Sequence, residues 1–152
     1  MGQLEGKTCE VYHAPFDVRL PIGNQKEEEI ENVVQPDLSI ICDPTKLDEK
    51  GCLGAPDLII EILSPFTSRK DKKEKFFLYE RTGVKEYWLV SPDDMLVSVY
   101  ILGHNGKYGR PGIYTESDTV EISIIEGLKV DLNPVFSAIL QSAKKEEVKI
   151  PK

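Results

Sequence analysis

Asp37 and Glu61 are the residues whose types and setting could do chemistry. Glu61 sits in APDLIIEILSPF, Ala55 to Phe66, a stretch otherwise apolar on both sides. Read as a strand from Asp57 to Leu63, it places Leu58, Ile60 and Ile62 on one face and Asp57, Ile59, Glu61 and Leu63 on the other. Such near-continuous apolar character marks a strand covered on both faces. An ionised carboxylate buried there alone is very costly, so Glu61 needs a lysine or arginine, backbone donors or a metal ion. Asp37 lies in VVQPDLSIIC, read as a strand with Val34, Pro36, Leu38 and Ile40 on one face and Gln35, Asp37 and Ser39 on the other. If the two strands pair with these polar faces aligned, Asp37 and Glu61 meet. Two carboxylates with water completing the shell suit Mg²⁺ or Mn²⁺. Asp57 precedes Glu61 by four residues on the same face, about 13 Å away at strand rise, and cannot share that ion. Its expected role is capping or positioning at the strand's edge.

A cation comes from TSRKDKKEKFFLYERTG, read as a helix. Lys72, Lys75 and Tyr79 fall on one stripe by i, i+3, i+7 spacing, and Asp71 precedes Lys75 by four. A lysine ammonium near metal-bound water could orient the nucleophile or stabilise charge on a phosphate. Asp57, Asp71 and Lys72 are secondary candidates. Most strand-borne Asp–Glu pairs are structural and most runs like RKDKKEK are solvated helix faces. The metal reading therefore leans on the cost of burying Glu61. His13 and His104 are isolated and read as structural or surface residues. No Ser-His-Asp order, P-loop or G-x-G-x-x-G occurs. A two-carboxylate glycosidase would need an aromatic-lined cleft, and Trp88 reads as core.

The elements that must position these groups are mostly strands. KTCEVYHAPFDVRLP is extended and closed by Pro21; GNQKEEEIEN is a polar connection; DPTKLDEKGCLG reads as a turn-rich loop. The helix has Ser68 and Asp71 as a capping box and Gly83 as its stop. VKEYWLVSP and MLVSVYILG alternate as strands about a Pro-Asp-Asp turn, and GKYGRPGIYTESDTVEIS reads as a hairpin and further strand. Asn133-Pro134 opens a closing helix, with a charged tail from 144 to 152 expected to fray. Consecutive strands, one helix and a return to strands indicate an α+β fold, a mixed sheet flanked by helices.

Bulk properties narrow the class. The 152 residues fit one domain, and 40% hydrophobic with 30% charged content is ordinary for a globular protein. No apolar run approaches a membrane span, and MGQLEGKTCE has neither region of a signal peptide. Cys9, Cys42 and Cys52 are odd in number and lack C-x-x-C spacing, which argues against a disulfide framework or zinc site and suits a reducing cytoplasm. A net charge of −7 sits awkwardly with nucleic acid, although a local basic patch can act inside an acidic protein.

Taken in order, VVQPDLSIICD, GAPDLIIEILSP and TSRKDKKEKFFLYERTGVKEYWLVSP resemble the Uma-two family of restriction endonucleases, within the PD-(D/E)XK nuclease superfamily. The resemblance covers roughly residues 7 to 136. It implies a restriction-endonuclease-like core, Mg²⁺ (or Mn²⁺) as cofactor, and hydrolysis of DNA phosphodiester bonds. Asp37 takes the place of the PD carboxylate and Glu61 that of the second acid. Leu63 stands where the motif lysine is expected, and Lys75 matches a lysine displaced to the helix. The family's N-terminal stretch resembling ELI-G-E, with its helix, precedes what this chain contains. The resemblance thus implies N-terminal truncation, an uncovered sheet face and a homodimer. The alternative function is a catalytically inactive nuclease-like module that binds DNA or a protein partner.

Overall fold

Apolar alternation and turn residues resolve into short strands and two helices in a computed structural model that describes residues 9–149. The first half holds β1 (Glu10–His13), β2 (Val18–Arg19), β3 (Val33–Val34), β4 (Leu38–Ile41), β5 (Leu47–Asp48), β6 (Gly51–Leu53) and β7 (Leu58–Ile62). Helix α1 (Arg69–Thr82) follows, then β8 (Glu86–Ser91), β9 (Leu96–Ile101), β10 (Gly112–Thr115), β11 (Thr119–Glu121), β12 (Lys129–Asp131) and α2 (Leu132–Lys149). The main sheet has six strands in the order β1-β4-β7-β8-β9-β10. Only β7 and β8 run parallel within it. A parallel pair needs a crossover, and α1 is that crossover. Ser68 starts the helix by accepting the Asp71 N–H at 3.0 Å, and Gly83 ends it in the left-handed conformation, φ 92°.

Period-two alternation divides the core between the sheet's two faces. Leu58, Trp88, Val90, Val97 and Val99 pack beneath the β11–β12 hairpin and α2, with Val120, Leu132 and Phe136. On the other face, Ile41, Ile59 and Tyr87 meet Tyr79 of α1, together with Val18, Leu20 and Cys52 from a second sheet ordered β3-β2-β6-β5. The α+β fold with a mixed sheet flanked by helices is the one the sequence indicates.

Several elements depart from that reading. Pro36, which lacks an N–H to donate, divides VVQPDLSIIC, so that β3 joins the second sheet and β4 the main one. The stretch Asp43–Gly54 is not a loop throughout: a turn at Pro44–Lys46 leads into the β5–β6 hairpin. There Gly51 has φ 130° and lies so close to Asp17 that an added Cβ would stand 2.2 Å from its carbonyl oxygen; no other residue fits. The hairpin expected between Gly106 and Ser123 is two pairings, β10 with β9 and β11 with β12. Helix α2 continues through Lys144 to Lys149, where fraying was expected, and 150–152 lie outside the described residues.

The cysteine reading is also corrected. Cys9 and Cys42 form a disulfide, while Cys52 is free and buried. The antiparallel register of Glu10 with Ile41 brings the next pair opposite one another, a proximity that a separation of 33 residues does not display. The expected uncovered sheet face is covered over β8 and β9, while Leu38 and Ile60 are half-buried and Ile62 is exposed. Among the described residues no helix is long and apolar enough to cross a membrane.

Glu86 secures the β11–β12 side. Fully buried, it accepts the Trp88 indole N–H on one oxygen and the Ser123 backbone N–H, at 2.9 Å, with the Ser123 hydroxyl, on the other. Glu86→Ala strands these donors, each worth about 1–3 kcal/mol. Urea unfolding followed by Trp88 fluorescence is expected to show a loss of roughly 3–5 kcal/mol, with Glu86→Gln losing less.

Candidate functional site

The site is assembled where β4 and β7 pair. Their register sets Leu38 against Ile60, Ser39 against Ile59 and Ile40 against Leu58. One step further, Asp37 stands across from Glu61. Each carboxylate reaches the other's backbone: Asp37 Oδ2 accepts the Ile62 N–H at 2.7 Å, and Glu61 Oε1 accepts the Asp37 N–H at a long 3.4 Å. Pro36 is buried and ends the incoming extended segment, and Asp37 itself is exposed at the strand's mouth. Glu61 is 6% exposed, on the face shared with Ile59 and covered by α1.

The helix supplies what the buried carboxylate needs. Residues four apart on a helix lie one above the other, so Lys75 and Tyr79 both face the sheet here. Tyr79 donates its hydroxyl to Glu61 Oε2 at 2.7 Å, and Lys75 Nζ lies 3.1 Å from the same oxygen. Tyr79 is wholly buried and packs edge-on against Tyr87, with ring centroids 5.1 Å apart. Burial first, then the Glu61 charge and hydrogen bond, push the Tyr79 phenol well above its ordinary value. It therefore remains a donor. The partner that the Glu61 carboxylate requires is thus a lysine, a tyrosine and a backbone N–H together, and its burial is met by protein groups.

The sequence candidates divide sharply. Asp37, Glu61 and Lys75 come together. Asp57 closes the other end of the β4–β7 pair, its Oδ2 accepting the Cys42 N–H at 2.7 Å and its Oδ1 lying 3.4 Å from Lys85 Nζ; this is the expected positioning role. Asp71 is exposed and serves the helix start through its backbone N–H. Lys72 makes no ion pair among the described residues. Tyr79 shares the stripe with Lys75, and that spacing was the signal for a role the sequence left unassigned. Glu86 had no such signal, because its partner Ser123 lies 37 residues on.

Hard divalent ions such as Mg²⁺ bind through one or two carboxylates together with waters and substrate phosphates. Asp37 and Glu61 at matched register fit that donor set. Among the described residues no group of three or more His, Cys, Asp or Glu side chains gathers, so the pair would leave most of such an ion's shell to water and substrate.

Residues 3–133 match the Uma2 family, whose description is "Putative restriction endonuclease". An uncharacterized protein of Synechocystis sp. is 28% identical over 139 residues, covering 91% of this chain and 68% of that protein. The crystal structure of a "putative nuclease belonging to DUF820" from Anabaena variabilis superposes with a TM-score of 0.66 at 20% identity, over 88% of this chain and 72% of that one. At this identity the likeness shows a shared fold, a restriction-endonuclease-like core.

Because Tyr79 is buried and Lys75 is 42% exposed, the tyrosine is the stronger anchor of Glu61. Tyr79→Phe is expected to cost about 1.5–3 kcal/mol as a lost hydrogen bond to a charged acceptor. Lys75→Met is expected to cost about 1 kcal/mol or less, as for solvent-screened ion pairs. Above the ordinary tyrosine pKa of about 10, the unfolded chain sheds a proton that native Tyr79 keeps. Stability is therefore full below that pH and falls as pH rises beyond it, and Tyr79→Phe should flatten that fall in alkaline denaturation curves.

Proposed function

The chain belongs to the Uma2 family, and from that premise we propose that it is a metal-dependent endonuclease hydrolysing DNA phosphodiester bonds. The observation that carries the reading is the convergence of Asp37, Glu61 and Lys75 at one strand junction. Asp37 and Glu61 are the groups that would hold Mg²⁺ (or Mn²⁺), as in the PD-(D/E)XK arrangement. A divalent ion held there would supply Lewis-acid polarisation of a phosphoryl oxygen and activation of the attacking water.

The chain's own residues do the positioning. Tyr79, pinned between Tyr87 and Glu61, fixes the buried carboxylate in one orientation. Asp37 faces solvent at the mouth, where substrate can arrive. Lys75 keeps an ammonium at the Glu61 oxygen; beside a phosphate it would offset charge that builds up as the phosphodiester is attacked. The lysine stands in for the one that the motif would carry at Leu63. A protein cation already on Glu61 also favours the alternative, an inactive nuclease-like module, because the carboxylate is satisfied without metal. The half-buried strip of Leu38 and Ile60 with exposed Ile62 is the surface on which we propose a homodimer. Static light scattering that returns a monomer at high concentration removes that proposal.

Calorimetry separates enzyme from inactive module. Mn²⁺ or Mg²⁺ titrated into the wild type is expected to give binding heat that Asp37→Ala abolishes. No heat in the wild type supports the inactive module. For the displaced lysine, Lys75→Ala is expected to lower the cleavage rate about 10²–10³-fold, the usual worth of a positioned charge, without weakening metal binding. Lys75→Ala with Leu63→Lys should recover part of the rate. Full activity in Lys75→Ala would make Lys75 an ordinary surface lysine.

A further inference from the structure

Helix α1 is built against its own electrostatics. A helix N-terminus carries positive partial charge and favours acidic residues, yet the stretch Arg69–Lys75 holds five lysines and arginines and only two acids. Arg69 with Lys72, Lys70 with Lys73 and Lys72 with Lys75 are like charges three residues apart, each pair mildly destabilising. In a chain of net charge −7, six of the 19 lysines and arginines fall between Arg69 and Arg81. Their own carboxylates do not account for them. Lys70 reaches Glu74 only at 3.8 Å, Lys75 is held by Glu61, and Arg69, Lys72, Lys73 and Arg81 make no ion pair among the described residues. A local arrangement that costs the helix stability points to an anion from outside.

The outer stripe of α1 forms one wall of a cleft of about 1100 Å³. Lys70, Lys73 and Arg81 line it from the helix, Lys107 lines it from the loop opposite, and Asn32 lines it from the chain leading to Asp37. Its acids are partly engaged: Glu80 is buried, accepting the Tyr108 N–H, with Lys107 at 3.8 Å, and Glu74 faces Lys70. Asp71, also in the wall, is exposed. Lys75 belongs to this wall and to the site at once, since its ammonium is on Glu61. From Lys70 to Arg81 the helix rises about 16 Å, enough to follow roughly five phosphates of one strand of duplex DNA.

We propose that this cleft is the track for a DNA backbone, with Lys70, Lys73, Arg81 and Lys107 neutralising phosphates and Lys75, midway along the helix, marking the side on which the strand meets Asp37 and Glu61. The proposal rests on the nuclease reading for where the strand leads, and not for the binding itself.

The test is anisotropy titration of a fluorescein-labelled 20-base-pair duplex, in EDTA so that no cleavage intervenes, over a range of salt. Wild type is expected to bind with a steep salt dependence. Lys70→Gln with Lys73→Gln should reduce the slope of log K against log salt by about 1.8, two phosphate contacts' worth. Both substitutions relieve like-charge repulsion, so loss of binding is not loss of fold, and a thermal midpoint that is not lowered verifies it. Lys129→Gln, on the hairpin covering the opposite sheet face, should leave the slope alone. The proposal is overturned if wild type does not bind the duplex, if the double variant keeps the slope, or if Lys129→Gln lowers it equally. Cleavage that survives with an unchanged slope in the double variant removes the track and leaves the nuclease. Binding with the predicted slope but no cleavage under Mg²⁺ or Mn²⁺ removes the nuclease and leaves the track.

Discussion

A glutamate only 6% exposed is costly to bury unless polar and charged groups around it answer its carboxylate. Glu61 is in that position, and the surrounding architecture is what answers it. The β7-α1-β8 crossover lays α1 across the strand that carries Glu61, the i, i+4 spacing aims Lys75 and Tyr79 at one oxygen, and the β4–β7 register offers the Asp37 N–H to the other. The aromatic packing of Tyr79 on Tyr87, with Phe76, Tyr100 and Tyr108 nearby, holds the helix at that height above the sheet.

Two clasps bracket the central strand pair. At one end Asp37 takes a backbone N–H just past Glu61, and at the other Asp57 takes one just past β4. Both carboxylates so fix the β4–β7 register. Their surroundings differ: Asp57 is buried and answered by Lys85, while Asp37 is exposed beside a second carboxylate. That contrast distinguishes a strand clasp from a carboxylate with capacity left for a ligand.

Much of this was legible in the sequence because it depends on local periodicity. The alternation in DLIIEIL assigns Glu61 to its face, and Ser68 and Gly83 bound the helix whose stripe contains Lys75 and Tyr79. What stayed hidden depends on register between distant segments. The Cys9–Cys42 bridge exists because β1 and β4 are antiparallel neighbours, and scattered cysteines do not reveal that. Glu86 reads as a polar residue opening a strand, and only the fold brings Ser123 to it. The β5–β6 hairpin was hidden among turn-forming residues, and only the fold shows why its turn needs glycine at 51, where the Asp17 carbonyl leaves no room for a Cβ. Pro36 was read as part of one continuous strand, and the division of its segment between two sheets is a tertiary outcome.

The central claim is that Asp37 and Glu61 act on a single ion. Anomalous diffraction from crystals soaked in Mn²⁺ tests it most directly. The account predicts one manganese peak contacting an oxygen of each carboxylate, with Lys75 close by but outside the coordination shell. A peak bound elsewhere, or none at the strand junction under saturating Mn²⁺, would contradict it.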